Sequence, residues 1–406
     1  MATPTYAPGV HFSPEVREDA FGVMARLVEH YRNKTTDLAE EQWREPVRAY
    51  RDAEQWQREV DSVHRTVPLA LAMSCELPGP GSYKSIDVAG TPVLITRDSA
   101  GEVHAMLNVC RHRGSELLAE GTGTTNRITC PYHSWSYDLK GCLVGVYGEN
   151  SFGGVYKDSM GLRSLPVAER AGLVFVSLDR TATIDLDSWL GPELITLLEG
   201  MGLDQAHHYS TRTLEGPNWK VVIDGYLEGY HFASLHRTTV FRTNFSNMAA
   251  FDKWGPHQRN AFALRPIAAV AEQPEDTWDP TLCVGAIFWL FPGLAIAGGW
   301  RSHVVVSLVL PGTEWGTSHT QQILALRHEP ADEDERKSLD HTRDWFHDVV
   351  LDEDYATGFG VQRGLDAFDG EEFVFGRNEP GVQHFHRALN ELCPQPSESE
   401  TRGASG

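Results

Sequence analysis

The sequence predicts an α+β chain of two domains, and three observations carry that prediction. At 406 residues the chain is longer than one hydrophobic core usually organises. Between Gly79 and Cys110 ("GPGSYKSIDVAGTPVLITRDSAGEVHAMLNVC") short apolar runs alternate with Gly-rich turns, as in a small antiparallel β domain. Charged segments with i,i+4 pairs, over 14–64 and again from Glu333 to about Val361, read as helices around a second strand-rich region.

In chain order, "LAEEQWREPVRAYRDAEQWQREVDSVHR" closes the first helical stretch with few strand formers. The β domain follows, with a hairpin at Asp98–Gly101 and another in "WSYDLKGCLVGV". "GLVFVSLD" (172–179) is a buried strand, and "LDSWLGPELITLLEGMG" (186–202) reads as one helix. A second β-rich stretch begins near 208 and carries a helix at about 218–236. Strands follow over 283–310 and in "HTQQILALRHE". The expected divisions are a helical segment over 1–45, a β domain over 46–170, a second domain over 171–394 and a disordered polar tail over 395–406.

Composition excludes several function classes. Lysine and arginine number 35 against 56 acidic residues, a net charge of −21 that repels nucleic acid and anionic membrane surfaces. The start, "MATPTYAPGVHFSPEVRED", has no apolar core and no basic lead, so no secretory signal is expected and the cytoplasm is the default. Cysteines 75, 142, 283 and 393 are scattered, as in a reducing compartment. Residues 280–300 hold no charge until the segment ends, but Pro292 and Gly293 divide them, which predicts two buried strands rather than a membrane span.

"CRHRGSELLAEGTGTTNRITCPYH" joins Cys110-x-His112 to Cys130-x-x-His133. Zinc accepts two thiolates and two imidazoles, but zinc fingers usually place both cysteines before both histidines. One Cys and one His from each half suits a [2Fe–2S] cluster whose second iron takes imidazoles. His231 and His236 lie on the predicted helix, five residues apart and so not eclipsed. "VVLDEDYATGFGVQRGL" adds Asp352, Glu353 and Asp354. Two histidines and a carboxylate form the facial triad of non-heme iron oxygenases. Periodicity does not choose among the three acids, His347 is a rival ligand, and two unrelated histidines remain the plainer reading. The pair His384-x-His386 reads as a surface accident.

These motifs resemble the α subunits of Rieske non-heme iron, ring-hydroxylating oxygenases over roughly residues 45–390. "NVCRHRG…CPYHSW" matches the cluster motif, "NWKVVIDGYLEGYH…H" the iron motif, and "LFPGLAI" and "ED…VQRGL" later landmarks. The resemblance implies a Rieske β domain joined to a helix-grip, START-like catalytic domain with an antiparallel sheet and flanking helices. It assigns Cys110, His112, Cys130 and His133 to the [2Fe–2S] cluster and His231, His236 and Asp354 to a mononuclear iron(II), the acid being chosen by its spacing to Gln362. Glu228 falls where the family bridges its two metal sites between neighbouring subunits, through the residues matching His231 and His133. Ser134 and Gly225 depart from the Gly and Asn more usual there, and the second departure weakens the inference about contacts near Asp224.

The implied activity is a terminal oxygenase that uses O₂ and electrons from a separate NAD(P)H-dependent reductase, with or without a ferredoxin, on a small organic substrate, expected to be aromatic. No G-x-G-x-x-G turn for a nicotinamide is present in the sequence. The family also implies a ring-shaped homotrimer, to which a small β subunit can be added. One rival within enzymes is oxidation of a quaternary ammonium compound, whose cation needs an aromatic cage that Tyr226, Phe232, Trp254 or Trp300 could supply. A non-enzymatic rival, a Rieske electron carrier, predicts cluster iron alone.

Overall fold

The computed structural model describes residues 12–394, apart from 299, 301, 302 and 369. The expected tail over 395–406 lies outside the described residues. The chain divides into two compact units, 65–208 and a larger one that joins the residues before 65 to those after 208. These limits differ from those expected at 46 and 171. The difference has a local cause, because strand Leu173–Val176 pairs with Leu69–Met73 and draws the chain up to 208 into the smaller unit.

Within the smaller unit every recorded strand pairing is antiparallel. Five strands lie in the order Ser164–Leu165, Val103–Leu107, Thr91–Arg97, Ser82–Val88, Gly121–Thr124. The Asp98–Gly101 turn joins two of them, with Arg97 opposite Val103. A three-stranded sheet, Ile128–Thr129, Ser136–Tyr137 and Leu143–Gly145, includes the second expected hairpin. Leu94, Met106, Ile128, Trp135 and Tyr137 pack with Cys110 and Cys130 in one core, so the cysteine loops sit on a rigid base. The single helix expected over 186–202 is two, Leu186–Leu190 and Pro192–Gly200. Gly191 at φ 77° breaks it, and Pro192 starts the second helix where a missing N–H costs nothing.

The larger unit is built on a seven-stranded antiparallel sheet. Asn244–Trp254, His257–Leu264, Val284–Leu290, Leu294–Ala297, His303–Pro311 and Ser318–Leu326 form a meander, and His207–Gly216 lies beside the last strand. The uncharged segment is therefore two paired strands, with Leu290 opposite Leu294 across the Pro292 turn. Among the described residues no helix is long and apolar enough to cross a membrane. Helix Pro14–Asn33 is capped by Ser13 and buries Val16, Val23, Leu27 and Val28 on one stripe facing the first two meander strands. Helix Glu333–Val349 runs into a π-helical turn at Val350–Tyr355 before Ala356–Gly364 continues.

Each unit also buries an ion pair. Lys84 Nζ lies 2.8 Å from both Glu76 oxygens with neither side chain more than 1% exposed, and Lys220 pairs with Glu59 in the larger unit. Removing one partner strands the other charge, whereas neutralising both relieves it. Lys84→Met is expected to destabilise the smaller unit by about 3–5 kcal/mol in urea unfolding, and adding Glu76→Gln to restore at least half of that loss.

Candidate metal centres and active-site cavity

The two Cys–His loops of the smaller unit share one backbone plan. The Cys110 carbonyl accepts the Gly114 N–H at 3.0 Å, and the Cys110 N–H donates to Ser115 at 2.8 Å. The Cys130 carbonyl accepts the Ser134 N–H at 3.0 Å, and the Cys130 N–H donates to Trp135 at 2.8 Å. Each turn ends in the left-handed region, at φ 76° for Gly114 and 55° for Ser134. The imidazoles of His112 and His133 stand 4.7 Å apart, and His112 stacks on Trp135 at 5.0 Å.

This donor set fits an iron–sulfur cluster on several counts. The Nδ1 atoms of His112 and His133 are buried without a hydrogen-bond partner among the described residues, which is costly unless something ligates them. Burial, then the neighbouring His133 and Arg113, lowers the His112 pKa and keeps the ring neutral as a ligand must be. Burial opposes ionisation of Cys130, but the backbone N–H groups of His133 and Tyr132 outweigh it and lower the thiol's pKa. Among the described residues two groups of three donors converge within 4.8 Å, and these four side chains are in neither. Tyr137 Oη accepts the Arg111 N–H at 3.0 Å and lies 3.4 Å from Cys110 Sγ, where its own proton reaches the sulfur. Sequence reading did not single out Tyr137.

In the larger unit Asn218 caps helix Trp219–Tyr226, accepting the Lys220 N–H at 2.8 Å. The helix expected to reach 236 ends at Tyr226, and a single 3-10 turn at His231–Ala233 follows. That break turns His231 and His236 toward each other, with ring centroids 4.9 Å apart. His231 Nδ1 is held by Glu228, which also accepts the His231 N–H at 3.2 Å. His236 Nδ1 is held by Glu353, which accepts the Thr239 hydroxyl at 2.7 Å. With both Nδ1 atoms donating, the Nε2 lone pairs face Asp354 Oδ1, at 3.0 Å from His236 and 3.7 Å from His231. Two imidazoles and a carboxylate converging on one point are a donor set that can hold a metal cation. Burial resists charging His236, yet Asp354 and then Glu353 overcome it and raise its pKa.

The π-helical turn explains how neighbouring acids serve one site. An α-helix would carry Glu353 and Asp354 further apart around its axis, whereas the widened turn presents both. Asp352 is exposed, and His347, half-buried, does not join the converging donors. Gln362 accepts the Asn218 N–H at 2.6 Å and donates to Gly316 at 2.7 Å, tying the helix that follows Asp354 to the cap of the helix that precedes His231.

Comparison with known proteins identifies a domain around each group of residues. A family model described as the Rieske [2Fe–2S] domain matches residues 67–153, and one described as the ring-hydroxylating α subunit catalytic domain matches 203–395. The chain belongs to the Rieske oxygenase α subunits. It is 28% identical over 366 residues to the carnitine monooxygenase oxygenase subunit of Escherichia coli K12, covering 87% of this chain and 94% of that one. It is 31% identical over 199 residues to the anthranilate 1,2-dioxygenase large subunit of Acinetobacter baylyi, covering 47% and 42%. Its fold matches that of a quaternary ammonium Rieske monooxygenase solved with L-carnitine at a TM-score of 0.73 and 23% identity, over 88% and 96% of the two chains. As a Rieske oxygenase α subunit it is the terminal component of an oxygenase, with a [2Fe–2S] cluster and a mononuclear iron as its cofactors and a reductase as its source of electrons.

In this α subunit a cavity of about 1150 Å³ opens beside His231, His236 and Asp354. Tyr226, Phe232, Phe262, Phe346 and Tyr355 supply aromatic wall, and Asp224, Glu228, Asp354 and Glu379 supply carboxylates. Burial, foremost, raises the Glu379 pKa to about 7. Trp254 and Trp300, considered for a cation cage, do not line it. Together with Phe288 they surround the buried guanidinium of Arg259 at 5.2–5.6 Å, and Asp19 and Asp252 pair with it. Their cage is filled by the chain's own cation. His384 and His386 are no surface accident either: His386 is buried, and its Nε2 reaches Asp224 at 2.9 Å and Tyr50 at 3.1 Å. Asp224 also accepts the Tyr50 hydroxyl at 2.7 Å, so it is held without help from position 225, where a Cβ would meet nothing within 4 Å.

Ser134 occupies a left-handed position that its partner loop gives to glycine. Ser134→Gly is expected to stabilise the smaller unit by about 0.5–1 kcal/mol, seen as a higher denaturation midpoint with an unchanged cluster spectrum. A lower midpoint would contradict that reading.

Proposed function

We propose that the chain oxidises a small quaternary ammonium compound, with Cys110, His112, Cys130 and His133 holding the cluster and His231, His236 and Asp354 holding the iron. The observation that carries the substrate class is the union of aromatic walls and carboxylates in one cavity. An aromatic surface accepts either a ring or a cation, but added negative charge favours the cation. The relative that matches along almost its whole length acts on carnitine, a quaternary ammonium compound. An aromatic substrate, the first expectation, has support from the anthranilate enzyme over less than half of either chain.

Iron bound at the triad supplies the place where O₂ is reduced and one oxygen atom reaches a substrate C–H bond. The balance is one C–H bond and O₂, with two electrons and two protons, giving one C–OH and one water. The residues of this chain do the remaining work. Glu228 and Glu353 fix the imidazole tautomers, Gln362 ties the helix after Asp354 to the cap of the helix before His231, and the apolar wall limits water. We further propose a homotrimeric ring in which Glu228 links His231 of one chain to His133 of the next, so that electrons cross between subunits. A head-to-tail contact of this kind closes into a ring.

Substrate-dependent O₂ uptake with a generic NADH-linked reductase tests the reading. Trimethylammonium compounds are expected to give uptake coupled to a hydroxylated or demethylated product. Coupled turnover of simple aromatics with none on the ammonium series would overturn it. Glu353→Gln is expected to weaken iron binding about 10–100-fold in a metal titration while leaving the cluster spectrum intact.

A further inference from the structure

Two arginines also line the cavity. Arg265 follows strand His257–Leu264 and lines the cavity, as does the neighbouring Arg242. Its guanidinium carbon lies 4.5 Å from the Phe241 ring centroid and 4.4 Å from that of Phe245. Its Nη2 donates to the Phe241 carbonyl at 2.9 Å, and its backbone N–H donates to Thr243 at 2.8 Å. The Phe241 N–H in turn donates to the His236 carbonyl at 3.0 Å, so Arg265 is anchored to the turn that leaves the histidine pair. Among the described residues Arg265 has no carboxylate partner, whereas Arg26, Arg212 and Arg259 each have one.

From this geometry we infer that Arg265 binds a carboxylate of the substrate, so the molecule taken by the cavity carries an anionic end. Two rings hold the guanidinium plane, and one N–H is spent on Phe241. The remaining in-plane N–H groups form a donor edge of the shape that matches a carboxylate. A half-buried arginine in a chain of net charge −21 that meets no acid of its own has its charge satisfied from outside. The carboxylates of the cavity then suit a cationic end and Arg265 an anionic one, which selects a zwitterion. This rests on the reading that the cavity is the substrate site and sharpens the quaternary ammonium class proposed above.

The test compares acids with their methyl esters on the metal-loaded protein, by isothermal titration calorimetry. One pair is 3-(trimethylammonio)propanoate and its ester; the other is benzoate and methyl benzoate. In the wild type the acid is expected to bind about 10–100-fold more tightly than its ester in at least one pair. Arg265→Gln is expected to abolish that preference while ester binding persists. A merely structural role would weaken acid and ester alike. If Arg265→Gln does not fold, Arg265→Lys decides: it keeps the charge but loses the planar fork, and the preference should fall at least about threefold. Equal binding of acid and ester by the wild type, binding of neither acid, or a preference that survives either substitution overturns the inference. An Arg265-dependent preference confined to the benzoate pair leaves the carboxylate site standing and removes the quaternary ammonium reading. Ammonium binding indifferent to the carboxylate does the reverse.

Discussion

Two imidazoles whose outer nitrogens are tied to carboxylates, and whose inner nitrogens face a third carboxylate, set the terms for the larger unit. Glu228 and Glu353 fix the tautomers, so the lone pairs at Nε2 have one direction to point. Asp354 meets them there. Much around the cavity serves this arrangement. The break after Tyr226 brings His231 and His236 together, the π-helical turn presents Glu353 and Asp354 side by side, and Gln362 ties the helix after Asp354 to the cap of the helix before His231. Bending or widening of helices here is a requirement of the site rather than a flaw in packing.

The smaller unit solves a different problem by similar means. Its proposed ligands come from loops, which are mobile unless pinned, and the pinning is done by turns closed on the cysteine carbonyls and by a core that includes the sulfurs. Backbone N–H groups aimed at Cys130 favour its thiolate, while Tyr137 beside Cys110 offers a proton to the other sulfur. Hydrogen bonds to cluster sulfur and the neutral imidazoles both favour a higher potential than an all-cysteine cluster has.

Much of this was legible in the sequence. Cys110-x-His112 and Cys130-x-x-His133 are local patterns, and the strands and hairpins of the β domain announce themselves through glycine and alternating apolar residues. What stayed hidden depends on contacts between distant segments. Glu353 looked like one acid in a run of three, because its role needs a π-helical turn and a histidine more than a hundred residues away. His386 looked exposed until Asp224 and Tyr50 closed around it. Trp254 and Trp300 have the composition of a substrate cage, but sequence does not show that Arg259 already fills it. The helices expected over 186–202 and 218–236 are each broken, the first at a glycine with positive φ and the second before the turn that carries His231.

Iron counting tests the proposed division of labour most directly. The wild-type protein should hold about three iron atoms per chain, two in the cluster and one at the triad. Asp354→Ala should hold about two, with the Rieske visible and electron paramagnetic resonance spectra unchanged, and Asp352→Ala about three. An Asp354→Ala protein that keeps the third iron, or an Asp352→Ala protein that loses it, would contradict the proposed ligand set.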